Sequence, residues 1–179
     1  MAADLDKLEP TLKSKILELL ERCQGRGCEM RPNIGLRDPF DQARLWRQSR
    51  TIEEITKKIE EFDITGASFL ADCLRSVGPQ HGDHVTDTPP GFSWHQWGEA
   101  IDCFWVLDGK AEWSTRKLIN GTNGYRVYAE EAELVGLTAG GHWENFKDWP
   151  HVQLREVDNA GNVMSVQEID AAMRMRFVS

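Results

Sequence analysis

The chain has 179 residues, which suits one well-filled domain and is short for two. Its 40% hydrophobic and 28% charged residues predict a globular protein, and the absence of an apolar run of roughly 20 residues argues against membrane insertion. A formal net charge of −8 argues against nucleic-acid binding, which depends on Lys and Arg at the phosphate backbone.

The N-terminal residues carry the early acids Asp4 and Asp6 and contain no apolar h-region. This pattern is not that of a secretory signal, so we expect synthesis in the cytoplasm without a signal peptide.

The four cysteines show no paired C-x-x-C spacing, and we expect reduced, buried thiols. Cys23 and Cys28 are only five residues apart, so a disulfide between them is kept as the alternative for an oxidising compartment. Cys103 is disfavoured as a nucleophile because burial in an apolar strand raises a thiol pKa.

The first half of the chain predicts helices. Leucines and isoleucines at helical spacing predict a helix over 5–24, and Asp38-Pro39 predicts the cap and start of a helix through Arg47. A capping box at Thr51 and Glu54 predicts a third helix, and residues 69–77 a fourth. The apolar face of the third helix contains Ile52, Ile55, Ile59 and Phe62.

Strands dominate the prediction for the second half. A long loop is predicted over 78–92. Residues 98–106 predict a strand with apolar side chains on both faces, which indicates a central position in the sheet. A helix is predicted over 128–134. Further strands are predicted over 138–143 and 152–157, and a capping box at 165–168 predicts a last helix through Met175.

Two histidines and an aspartate stand out as candidate metal ligands. His95 and Asp102 are seven apart, which suits a ligand on a loop and a second inside the following strand. Gly98 allows the intervening backbone to turn tightly. Pro150 is tolerated at the start of a strand, so His151 can open a strand beside the first. Each residue alone is as consistent with an ordinary core or loop role.

Three protein ligands leave a fourth position for a water molecule, the arrangement of catalytic zinc sites. A carboxylate is then needed as general base. Asp148 lies three residues before His151 and is the favoured candidate, with Glu144 as the competitor.

The pattern S-x-H-x-x-G-x-A-x-D over 93–102, followed by D-x-P-H over 148–151, resembles a known enzyme family. The family comprises zinc D-alanyl-D-alanine carboxypeptidases and the L-alanyl-D-glutamate peptidases of phage endolysins. Gly35-Leu36-Arg37 with Gln42, and the loop over 85–91, agree with it, so the resemblance spans roughly residues 30–155.

The resemblance implies a single zinc peptidase domain over 1–179, without a separate cell-wall-binding domain. Its fold would be α+β, of the D-Ala-D-Ala metallopeptidase and hedgehog-like type, with a small antiparallel sheet that carries the ligands. It also implies Zn²⁺ held by His95, Asp102 and His151, and Asp148 as base.

The resemblance further implies Arg37 as the contact for a substrate carboxylate. We add Gln42, Ser93 and Trp143 as substrate-binding candidates. Aspartate before Pro-His resembles the endopeptidase branch, which favours cleavage of the L-alanyl-D-glutamate bond of the peptidoglycan stem peptide. A D-alanyl-D-alanine carboxypeptidase and a non-catalytic zinc-containing wall-binding module are the alternatives. We expect a monomer that reaches the cell wall after release or delivery by another factor.

Overall fold

The computed structural model describes residues 3–178 and confirms the α+β class. Within that range the helices are α1 (Pro10–Gly25), α2 (Pro39–Arg47), α3 (Ile52–Ile64), α4 (Ser68–Ser76), α5 (Gly124–Leu134) and α6 (Val166–Phe177). The strands are β1 (Met30–Ile34), β2 (Ala100–Leu107), β3 (Lys110–Glu112), β4 (Thr138–Ala139) and β5 (His151–Gln153).

The chain divides into two compact units. The first contains Met1–Leu36 and Trp97–Glu156, and the second contains Arg37–Gln96 and Val157–Ser179. The single catalytic domain expected from the sequence stays a prediction.

All five strands belong to the first unit and form one antiparallel sheet in the order β1-β2-β5-β4, with β3 also pairing with β2. The strand β2 lies between β1 and β5, as its two apolar faces predict. Ile101, Cys103 and Trp105 on one face of β2 are buried in a hydrophobic core that α1 and α5 complete. The opposite face carries Asp102 and Phe104.

The helix α1 begins later than predicted, at Pro10, because proline suits the first turn of a helix and residues 5–7 form a separate 3-10 turn. It ends in a C-terminal cap in which Gly27 takes a positive φ of 75°. The Cys28 N–H then donates to the Cys23 carbonyl at 3.0 Å.

The second unit is helical, and its predicted caps are present. The Asp38 carboxylate accepts from the first N–H groups of α2, and Thr51 and Glu54 form the capping box of α3. The apolar face predicted for α3 is wrong at Ile52, which is 81% exposed, whereas Ile55 and Phe62 are buried. The α4 helix has no side-chain cap from its own N-cap residue, and Asp170 of α6 accepts from Leu70 N–H at 2.9 Å instead.

Two strands of the first unit are shorter than predicted. Residues 140–142 form a 3-10 turn rather than strand, so β4 contains only Thr138 and Ala139. The last strand begins at His151 and ends at Gln153. The helix α5 begins four residues earlier than predicted because Asn123 caps it by accepting from Tyr125 N–H.

The four cysteines are free and buried, as expected. Burial raises the pKa of the Cys103 thiol to about 12, which removes it as a nucleophile near neutral pH. Across residues 3–178, no helix combines the length and the apolar character that crossing a bilayer requires.

Candidate metal centre

The structure brings the three predicted ligand residues together. One ligand atom each from His95, Asp102 and His151 can be chosen so that all three lie within 4.8 Å of one another. Asp102 and His151 are directly opposite each other in the register of β2 and β5, which explains how residues 49 apart in the chain meet. Both histidines are buried.

A short 3-10 turn over Trp94–Trp97 carries His95. The Ser93 hydroxyl accepts from His95 N–H at 3.4 Å, and Arg37 N–H donates to the His95 carbonyl at 3.1 Å. Ser93, predicted to bind substrate, therefore also helps to fix the turn that presents the histidine.

The His151 ring is held through both of its nitrogens. Nδ1 lies 3.1 Å from Asp102 Oδ1, and Nε2 lies 3.0 Å from Gln153 Oε1. Gln153 Nε2 donates to the Arg155 carbonyl at 2.7 Å, which orients the amide so that its oxygen faces the ring. Nε2 consequently donates its proton to Gln153, which leaves Nδ1, the nitrogen that faces Asp102, as the atom that would bind a metal ion.

The charges around His151 favour a cation at this position. Burial lowers the pKa of the His151 ring, but the hydrogen bond and charge of Asp102 and the charge of Asp148 outweigh burial, so the pKa is raised. The Trp143 ring lies beside His151, with ring centroids 5.2 Å apart. Trp143 therefore borders the candidate centre, and its predicted contact with substrate stays a prediction.

Asp148 reaches the neighbourhood of His151 because the backbone turns tightly. Asp148 N–H donates to the Gly140 carbonyl at 3.0 Å, and His151 N–H donates to the Asp148 carbonyl at 3.1 Å. A Cβ atom on Gly140 would lie 2.4 Å from the Asp148 carbonyl oxygen and 3.2 Å from the His151 Cβ. Glycine is therefore required at 140. The competing acid Glu144 lies in an exposed part of the same loop.

Arg37 lies half-buried in a network of glutamines. Its Nη1 donates to Gln42 Oε1 at 2.8 Å, and Gln96 Nε2 donates to the same oxygen at 3.1 Å. Gln42 Nε2 donates to the Thr88 carbonyl at 2.7 Å. Gln42 is fully buried and holds the Arg37 side chain through this shared oxygen, and its contact with substrate stays a prediction.

Two imidazoles and one carboxylate suit a divalent metal ion such as zinc. Donor atoms about 2 Å from one tetrahedral centre lie roughly 3.3 Å apart. The 3.1 Å between His151 Nδ1 and Asp102 Oδ1 agrees with that spacing. The fixed His151 tautomer and the three-residue set together fit a metal ion.

The fold and the donor set therefore define an α+β protein with a metallopeptidase-like centre. A family model described as D-alanyl-D-alanine carboxypeptidase matches residues 86–154, the segment with all three candidate ligands and Asp148. The resemblance predicted from the motifs is confirmed, and the chain is similar to this family over residues 86–154.

One curated relative agrees with the family model. The chain is 25% identical over 150 residues to the peptidoglycan L-alanyl-D-glutamate endopeptidase CwlK of Bacillus subtilis (strain 168), with 82% of this chain and 73% of that protein covered. A solved structure of the Serratia marcescens L-Ala D-Glu endopeptidase ChiX is similar at a TM-score of 0.43 and 17% identity, covering 84% of this chain and 83% of that one.

Sequence reasoning missed Gln153 and Gly140. Gln153 stands two residues after His151, and this spacing places both side chains on one face of β5. That signal was available. The need for glycine at 140 could not be read from the sequence, because it arises from the close approach of the Asp148 backbone, eight residues away in the chain.

We expect Gly140→Ala to lower zinc affinity at least tenfold, because the added methyl group displaces the Asp148 carbonyl and the start of β5. Titration with zinc in competition with a chromophoric chelator measures the affinity. Gly25→Ala is the matched control, since its Cβ meets nothing within 4 Å. Equal affinities for the two variants would disprove the close-approach argument.

We expect Gln153→Leu to lower zinc affinity by about 10- to 100-fold, since loss of the Oε1 acceptor frees the His151 ring and its tautomer. Gln153→Glu keeps the acceptor and should retain affinity. Gln24→Leu, the same change at an exposed position of α1, serves as control. Unchanged zinc affinity in Gln153→Leu would show that the glutamine does not hold the ligand.

Proposed function

We propose that the chain is a zinc-dependent peptidoglycan peptidase that hydrolyses the L-alanyl-D-glutamate bond of the stem peptide. The observation that carries the proposal is the Asp102–His151 pair, with His95 in the same cluster and the Asp148 charge beside His151. The similarity to CwlK supports the choice of bond.

His95, Asp102 and His151 would hold the ion, and three ligands leave a position open to solvent or substrate. A bound zinc ion supplies a Lewis acid and lowers the pKa of a water molecule to roughly 7. Asp148 takes the proton of the attacking water at its carboxylate and passes it to the leaving amine. Trp143 lies beside the His151 ring, where it contacts the substrate.

Arg37 supplies the contact for a carboxylate of the substrate. A guanidinium offers paired N–H donors that match a carboxylate, and Gln42 sets the orientation of the Arg37 side chain. The D-glutamate residue of the stem carries a free α-carboxylate beside the scissile bond, which makes it the proposed ligand of Arg37.

The family description favours one alternative, a D-alanyl-D-alanine carboxypeptidase. A non-catalytic zinc-containing wall-binding module is the second. Mass spectrometry of digested sacculi separates these functions, because the endopeptidase releases peptides that begin with D-glutamate, the carboxypeptidase releases only D-alanine, and the binder releases nothing. We further propose that the enzyme acts on the cell wall as a monomer.

Asp148→Asn should retain zinc and lower kcat by about 10²- to 10⁴-fold, because the amide cannot accept the proton. Glu144→Gln is the matched control and should keep both zinc and activity. Zinc content by elemental analysis and release of peptides from sacculi are the two readouts. The proposal fails if Glu144→Gln loses activity while Asp148→Asn keeps it, or if zinc-loaded protein releases no product.

Arg37→Ala should raise KM by about 10- to 100-fold, since it removes a charged hydrogen-bond pair. Arg44→Ala on the adjoining helix α2 is the control, because Arg44 is exposed and forms a local ion pair with Asp41. A substrate with an amidated D-glutamate α-carboxyl should be cleaved poorly by the unmodified protein and equally poorly by Arg37→Ala. If Arg37→Ala cleaved the amidated substrate more slowly than the unmodified protein does, Arg37 would contact a different group of the substrate.

A further inference from the structure

The face of β2 that carries Asp102 continues into an aromatic pair, the half-buried Phe104 and the exposed Trp113. Phe104 is two residues further along the strand, and residues two apart lie on the same face, roughly 6.6 Å from each other. Trp113 stacks beside Phe104, with ring centroids 5.6 Å apart and planes inclined at 43°. The indole is 54% exposed.

The pairing of β2 with β3 explains why Phe104 and Trp113 lie side by side. Trp105 is opposite Glu112, Val106 opposite Ala111 and Leu107 opposite Lys110. The same register, continued by one residue, places Phe104 opposite Trp113. The two rings are therefore neighbours across the hairpin and belong to one face of the sheet.

The segment that presents Trp113 is fixed on both sides. Before it, the Glu112 carbonyl accepts from the buried Tyr125 hydroxyl at 2.9 Å, and the Glu112 carboxylate pairs with Lys117 at 2.6 Å. After it, the Ser114 carbonyl accepts from the buried Asn123 amide at 3.0 Å. A large ring held this firmly in solvent is preorganised for a ligand, since little conformational entropy is lost on binding.

Hydrogen-bonding groups border the pair. Arg31 of β1 is directly opposite Phe104, and it forms an ion pair with Glu29 at 2.7 Å while half of its side chain stays exposed. Aromatic faces attract the C–H face of a pyranose, and charged planar groups bond its hydroxyl and acetamido groups.

We propose that Phe104, Trp113 and Arg31 form a subsite for the sugar that carries the stem peptide. This inference rests on the proposed function. In the proposed substrate only L-alanine separates the scissile carbonyl from the lactyl group of that sugar. One extended residue spans at most about 3.6 Å. With L-alanine as one step and the lactyl group as a second, the sugar begins about two such steps from the scissile carbonyl. Phe104 is likewise two residues along the strand from Asp102.

The test compares two soluble substrates, a disaccharide-linked stem peptide and the same peptide without sugar. Trp113→Ala should lower kcat/KM for the sugar-bearing substrate by roughly 3- to 10-fold and leave the free peptide unchanged. Trp113→Tyr should restore most of the loss. Leu134→Ala, a change of an exposed side chain on α5, is the control and should affect neither substrate.

Binding of the disaccharide alone provides a readout that does not require hydrolysis. The indole N–H resonance of Trp113, identified from Trp113→Phe, should shift when the disaccharide is added to intact protein. An unshifted resonance would overturn the sugar subsite. An equal loss of kcat/KM on both substrates would also overturn it and would indicate that Trp113 contacts the peptide. If neither substrate is hydrolysed but the resonance shifts, the peptidase proposal fails and sugar binding stands.

Discussion

The pairing of β2 with β5 fixes which side chains of the two strands meet. Asp102 is opposite His151, and Ile101 opposite Val152. A slip by one residue would turn His151 toward the hydrophobic core and Val152 toward Asp102. The register is held because Ile101 and Val152 are both fully buried. The packing of the apolar face of the sheet therefore keeps Asp102 opposite His151 on the other face.

This arrangement places polar groups where burial is costly, and the structure compensates with hydrogen bonds. His151 is 7% exposed and Gln153 1% exposed, and each polar atom of the Gln153 amide has a partner. Glu99, next to β2, forms an ion pair with Arg155 beyond β5. An isolated imidazole or carboxylate in this position would be destabilising, whereas the chain of contacts from Asp102 to Arg155 keeps the ligand set prearranged.

The sequence predicted more of the local structure than of the long-range contacts. The capping boxes at Thr51 and Ser165 and the Asp38 cap are local signals, and each was confirmed. The strand expected over 138–143 ends early, at Ala139, because the turn over 140–142 depends on the approach of Asp148, which no local pattern encodes. The motif residues were found through spacing and resemblance. Gln42 is fully buried, and burial is a property of the folded chain that its place in the motif does not show.

The strand β2 shows how one segment can serve stability and chemistry together. Its odd-numbered residues Ile101, Cys103 and Trp105 are buried in the core and anchor the backbone, while Asp102 and Phe104 lie half-buried on the opposite face. A ligand on such a strand needs no flexible loop to position it, because rigidity comes from the opposite face. Since the alternation continues past Asp102 to Phe104, the same anchoring that fixes the metal ligand also fixes the ring two residues further on. Any contact that Phe104 makes with a substrate is therefore held in constant register with the candidate metal centre.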